Sequence, residues 1–301
     1  MRVTAIAPSA RLAPFVRTFT VVEAAEESTR VLIPDTGLVL GLRYAGSAEL
    51  LRGAGNGNAN GNGSGNGNGH GHFEAAVRMP DASVTGMRET VRRMRTSAGG
   101  GAIFAMFQPG GAAPFFAEPL HELFGETVPL DDLSNPSPAG VSARAQRERD
   151  EIERAVERLT AAADDATRVK IVEEYLLARY LRRAAAAPQN GKPAPKDVLI
   201  AEAVRAIRAA RGAIRIAPLA KTLGIGLDRL EKRFRAAVGT SPKQLASLIR
   251  LRRAIESYRP DVSLASLSAD AGYFDQSHFT REVRAVTGEP PQRFFRTREH
   301  C

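Results

Sequence analysis

The carboxy-terminal third repeats one pattern at an offset of 48 to 49 residues, and the repeat restricts what it can fold into. "APLAKTLGIGLDRLEKRFRAAVGTSP" opens as a short helix closed by Gly224. It then turns and continues as a longer helix with Leu230, Phe234 and Val238 on one face and Gly239 as its stop. "SLASLSADAGYFDQSHFTREVRAVTGEPP" does the same through Gly272, Phe279, Val283 and Gly288. Gly224 aligns with Gly272. After one extra residue in the second turn, Leu230 aligns with Phe279, Phe234 with Val283, Arg235 with Arg284, Gly239 with Gly288 and Pro242 with Pro291. Helix, Gly-containing turn, helix describes a helix-turn-helix. Two copies in one domain carry weight that neither would carry alone. Between them, Ser241 as N-cap and Pro242 at the first helical position predict a joining helix over 241–258, about 27 Å long.

Projecting the longer helices at about 100° per residue shows what each offers. With Leu230 inward, Asp228, Lys232 and Arg235 point away and Glu231 lies at the edge. With Phe279 inward, Ser277, Arg281 and Arg284 point away, Thr280 lies at the edge and Gln276 occupies the first turn after the N-cap Asp275. Such N-terminal side chains suit base reading. Gln pairs bidentately with adenine and Arg with guanine, and Ser and Thr adapt to either. Arg235 and Arg284 come later and suit phosphate contacts. The competing reading is that these are merely the solvated faces of two helices.

Charge favours the nucleic-acid reading. Between Lys196 and Cys301 there are 20 Lys and Arg against 11 Asp and Glu, whereas the first 195 residues carry 22 of each sign. The net charge of +9 therefore lies in the last third, which suggests a polyanionic partner. The expected partner is double-stranded DNA, with two reading heads about one helical turn (~34 Å) apart in successive major grooves.

A chain of 301 residues suggests two domains. Ahead of the basic third, short β-branched or aromatic runs broken by Pro, Gly and Asp read as strands. They include "FVRTFTVVEA", "RVLIPD", "GLVLGLRYAG", "ASVTGM" and "AIFAMFQPGG". A short helix, "EPLHELFG", follows. The fold class is thus α+β. A small β-barrel or sandwich of cupin-like type occupies 1–140, a helical hairpin suited to assembly 141–187, a Pro/Gly linker 188–196, and an all-α double helix-turn-helix domain 197–301. The Gly/Asn tract at 53–72 is expected to be a disordered insertion, having nothing to bury. His70 and His72 in it have the spacing of two metal ligands but lack supporting ligands nearby, and His121 reads as a surface or packing residue, so no metal or cofactor is expected. In the hairpin, Ile152, Val156 and Leu159 form one apolar stripe and Val169, Val172, Leu176 and Tyr180 another. Each stripe needs a partner, either the β domain or a second copy of the chain.

No apolar run approaches the roughly 20 residues that span a bilayer, and the first residues lack a signal-peptide core. The lone Cys301 allows no internal disulfide, in keeping with the cytoplasm. No Ser-His-Asp or Cys-His arrangement is visible, so an enzyme is not expected. Two alternatives stay open: a cupin-like enzyme with a basic DNA-binding tail, and an architectural nucleic-acid binder without base specificity. Against the second stands the polar cluster Gln276, Ser277 and Thr280, which phosphate binding alone would not require.

Across about residues 216–296, Gly224, Leu230, Phe234, Gly239, Pro242, Gly272, Phe279, Gly288 and Pro291 resemble the framework of the AraC/XylS family of bacterial transcription regulators. Val283 stands where that family usually has an aromatic. The resemblance implies base contacts from Asp228, Glu231 and Lys232 and from Gln276, Ser277, Thr280 and Arg281. It further implies contact with RNA polymerase and a small-molecule effector, with activator and repressor both left open, and the charged amphipathic helices at 142–185 predict a homodimer. "RVLIPDTGLVLGL" and the "FQPGG" element resemble that family's amino-terminal domain more loosely, with Thr36 in place of the usual Gly.

Overall fold

The computed structural model describes residues 1–53, 73–116, 118–134, 143–186 and 195–296. Ten strands make two antiparallel sheets: β1 (Arg2–Ile6), β2 (Val16–Ala24), β3 (Ser28–Leu32), β4 (Val39–Ala45), β5 (Ala48–Gly53), β6 (Phe73–Arg78), β7 (Ala82–Thr85), β8 (Arg92–Thr96), β9 (Gly100–Phe107) and β10 (Thr127–Pro129). The larger sheet runs β1-β2-β9-β4-β7-β10 and the smaller β3-β8-β5-β6. They face each other as a sandwich and do not close into a barrel. The terminal strands β1 and β10 escaped sequence reading, β10 because it has three residues and ends in proline. The helix expected at "EPLHELFG" is a single 3-10 turn, Leu120–Leu123.

The period-2 alternation of the larger sheet sends two sets of side chains to two destinations. Phe19 and Val21 of β2, Leu40 and Leu42 of β4, and Ile103, Ala105 and Phe107 of β9 point to a closed core. Helices α1 (Ala143–Ala161) and α2 (Asp165–Ala186) cover that face, with α1 on β4 and α2 on β1 and β9. Ile152, Leu159, Val169, Val172 and Leu176 are buried there. A buried ion pair, Arg179 to Glu148 at 2.8 Å, ties the two helices, and the Arg179 Nε–H donates to the Phe115 carbonyl at 2.8 Å. Of the two partners open to the hairpin, the β domain takes the apolar stripes. The intervening residues, Val22, Val39, Gly41, Phe104 and Met106 among them, face the space between the sheets.

The carboxy-terminal part comprises α3 (Pro195–Ala209), α4 (Ile216–Thr222), α5 (Leu227–Val238), α6 (Pro242–Ser257), α7 (Leu264–Asp270), α8 (Gln276–Thr287) and α9 (Pro291–Arg296). α3 starts at Pro195, within the segment read as linker. The rest of that linker, most of the Gly/Asn tract with His70 and His72, and Cys301 lie outside the described residues. The two helix-turn-helix units are packed differently. Leu230, Phe234 and Val238 of the first belong to the same continuous core as Phe107 and Leu120 of the amino-terminal part. Phe279 and Val283 of the second belong to a separate core with Leu267, Tyr273, Phe294 and Phe295. Val283 is fully buried there, so a smaller side chain than the family's usual aromatic still fills a core position. α6 is divided between them: Leu245, Ala246 and Leu248 lie in the first core, Leu251 and Ala254 in the second.

Candidate nucleic-acid interface

Both longer helices of the repeat end on a glycine in the left-handed region, Gly239 at φ 94° and Gly288 at φ 76°. A Cβ there would strain the backbone, so the N–H bonds back to the Arg235 and Arg284 carbonyls are made cheaply only by glycine. Their starts differ. Gly226 opens α5 without a side-chain cap, whereas Asp275 caps α8 by accepting from the His278 N–H at 2.6 Å. α6 is capped as its sequence predicts, by Ser241 accepting from the Gln244 N–H, with Pro242 following.

The structure leaves Asp228, Lys232 and Arg235 exposed on α5, with Glu231 half-buried and paired to Arg235 at 3.8 Å. On α8, Gln276, Ser277, Arg281 and Arg284 are exposed and Thr280 is half-buried. Among the described residues no carboxylate lies within ion-pair distance of Lys232, Arg281 or Arg284. The acid of α8, Glu282, is turned inward. It accepts from the Tyr273 hydroxyl at 2.7 Å and pairs with Arg250 at 3.3 Å and His278 at 3.7 Å. Burial, with Glu282 beside it, pushes the Tyr273 phenol well above its ordinary range, so it stays a donor. The outward face of α8 is therefore cationic and polar, while that of α5 mixes both signs.

Several contacts that sequence reasoning missed join the repeat to the amino-terminal part. Arg252 of α6 donates to the Pro34 carbonyl at 3.2 Å and lies 3.5 Å from the Asp35 carboxylate. Arg17 holds the same carboxylate at 2.8 Å and also donates to Thr36 Oγ1 at 2.9 Å. Asp35 is buried. Burial alone would raise its carboxyl, but Arg252 and Arg17, with the Thr36 N–H, hold it below the usual carboxylate range. Thr36 thus contributes a hydroxyl that the family's usual glycine would lack. Further along, the Val91 N–H donates to the Val286 carbonyl at 2.9 Å, Gln244 meets Glu89, and Arg93 lies 3.7 Å from Glu289.

The space between the sheets is a cavity of about 420 Å³. Val22, Val39, Leu50, Met94, Phe104 and Met106 supply much of its wall, and α6 lines one side with Arg252, Ile255 and Glu256. Arg43, buried in the wall, has its guanidinium pushed down by burial and lies 3.6 Å from Asp81. Arg88, also in the wall, is pushed down to about 10 by burial and remains charged at neutral pH, donating to the Leu32, Ile33 and Thr90 carbonyls. Among the described residues no cluster of three or more His, Cys, Asp or Glu could hold a metal ion, and no helix is long and apolar enough to cross a membrane.

Residues 219–297 match the family model described as a helix-turn-helix domain, and residues 4–129 match a domain of unknown function (DUF6597). No curated relative matches the chain. Among solved structures, ToxT from Vibrio cholerae is similar at a TM-score of 0.44 and 8% identity, over 92% of this chain and 97% of that one. ToxT bound to an unsaturated fatty acid gives 0.40 and 9%, over 92% and 94%. The AraC-like transcriptional activator CuxR gives 0.25 and 12%, over 90% and 91%. Likenesses of that strength carry no functional argument. The doubled unit and the match over residues 219–297 define a DNA-binding transcription regulator of the helix-turn-helix class. The matched residues carry the glycines and apolar positions by which this domain resembles that of the AraC/XylS family, Gly224, Leu230, Phe234, Gly239, Gly272, Phe279 and Gly288 among them.

Proposed function

We propose that this regulator reads two successive major grooves with α5 and α8, and that an effector in the inter-sheet cavity modulates the reading. The observation that carries this is α6. It joins the two reading units, and the same helix walls the cavity through Arg252, Ile255 and Glu256. A ligand that displaces those side chains acts on the element that sets the spacing of the heads. Asp228, Glu231 and Lys232, with Gln276, Ser277, Thr280 and Arg281, are assigned to base edges. Arg235 and Arg284 are assigned to phosphates. The remaining parts of the reading are a homodimer on paired half-sites, activation through contact with RNA polymerase, and a fragment from residue 192 that binds DNA alone.

The test is selection of bound fragments from genomic DNA, with and without pools of small metabolites, followed by footprinting. The reading expects two protected major-groove patches on one face of the duplex, with occupancy altered by at least one pool. A single patch would refute two-groove reading. Indifference to every pool, or a response left unchanged when Met94→Trp fills the cavity, would refute modulation from this site. Sedimentation on the selected duplex tests the homodimer, and transcription from it in vitro tests activation.

A further inference from the structure

Tyr273 and Phe274 are adjacent aromatics with opposite placements. Tyr273 is 7% exposed, set edge-on against Phe279 with ring centroids 5.1 Å apart, and its hydroxyl is anchored on Glu282. Phe274 is 95% exposed. Asp275 then continues in extended backbone at φ −152° and is locked as the cap of α8. Phe274 lies at a bend between the anchored Tyr273 and the capping Asp275, and its side chain is left in solvent. The ring is held between two fixed residues, immediately before Asp275 and Gln276. It contributes nothing to either core.

An aromatic is not needed for this turn, and a fully hydrated ring brings the fold no burial. The turn of the first unit also has apolar surface on show, because Leu227 at the first position of α5 is 41% exposed. Both reading helices thus begin with uncovered apolar atoms beside polar ones, in a domain whose net charge suits a polyanion.

The major groove explains such a pairing. An A·T pair presents there the adenine N6 and N7, which Gln reads, and the thymine C5-methyl, which apolar side chains including Phe read. Recognition helices meet base edges with their N-terminal residues. We propose that Phe274 is a specificity-determining residue. Its ring packs on the C5-methyl of a thymine next to, or in the same pair as, the adenine read by Gln276. The proposal rests on the reading of α8 as a recognition helix.

The experiment uses the full chain and the tightest duplex selected from a random pool. Each thymine is replaced in turn by deoxyuridine, which removes the methyl and leaves pairing intact. For the unsubstituted protein, one replacement should weaken binding about fourfold, the effect of losing one buried methyl. Phe274→Ala should bind thymine and deoxyuridine equally at that position and respond normally at all others. Its salt dependence should be unchanged, since no cation is lost. Phe274→Leu should restore part of the discrimination. If Phe274→Ala and the unsubstituted protein respond alike to every deoxyuridine, the proposal is overturned while α8 as reader survives. Full DNA affinity of Phe274→Ala with loss of transcription from the same duplex would also overturn it and assign the ring to a protein partner. Failure to select any duplex would overturn the reading of α8 itself.

Discussion

Asp35 is one carboxylate that answers to two arginines from different parts of the chain. Its folded value lies below that of an unfolded aspartate, so the unfolded chain binds more protons between the two values. The contribution is complete above about pH 4 and fades as pH falls through the lower, folded value. Asp35→Asn should therefore lower stability by about 1–3 kcal/mol at pH 7. That is less than a fully buried pair would lose, because Arg17 and Arg252 are each nearly a third exposed. Urea midpoints measured across pH should show the gap constant from pH 5 to 8 and closing in acid. A gap that widens in acid would contradict the assigned ion pairs. Among the reading positions, Arg281→Ala should cost about 1–3 kcal/mol and relax preference at one base pair, as for a lost bidentate guanine contact. Arg284→Ala should weaken binding to all sequences alike and reduce the salt slope by about one. Lys232→Ala should be milder than Arg281→Ala, because Asp228 and Glu231 beside it repel the same polyanion. Binding to single-base operator variants ranks the three. The outward residues of α5 and α8 were legible from helical periodicity alone. Asp35 was not, though it stood in "RVLIPDTG", since its partner Arg252 lies in another domain and no local pattern links them.

The helices of the repeat were legible because each carries its own punctuation: Asp275 or Ser241 in front, Gly239 or Gly288 behind. Strands β2 to β9 were legible as β-branched or aromatic runs broken by turn residues, but the sheet each joined was not, because pairing depends on distant partners. The cavity was equally hidden, since nothing in the runs that hold Val22, Val39 and Phe104 distinguishes residues lining a space from residues filling a core. α6 shows most clearly what periodicity omits, because one apolar stripe serves two cores. Leu245→Ala and Leu251→Ala should each cost about 2–5 kcal/mol of local stability, but in different places. Hydrogen exchange should quicken in α5 and the adjoining sheet for Leu245→Ala, and in α7 to α9 for Leu251→Ala. Identical exchange maps would show that the two cores unfold as one.

The intact molecule is unequal in how it carries its two reading units. The first is continuous with the amino-terminal core, and the second meets that part through Arg252, Val286 and Glu289. A fragment from residue 192 should bind DNA with a steep salt dependence, because cation contacts release condensed counterions. Its first unit should exchange amide hydrogens faster than in the full chain, and its second about equally. That difference, read by exchange on both proteins, would be absent if the first unit were self-sufficient. The uncut α6 has one more consequence, which concerns DNA geometry. Sixteen residues of unbroken helix make a ruler about 24 Å long, and a ruler fixes rotation as well as distance. One base pair inserted between the two read positions shifts the second by about 3.4 Å and turns it by about 35° around the duplex axis. If α5 and α8 read successive grooves as proposed, the heads must be in phase with the operator, and an effector touching α6 would retune which promoters are in phase without altering a single base contact.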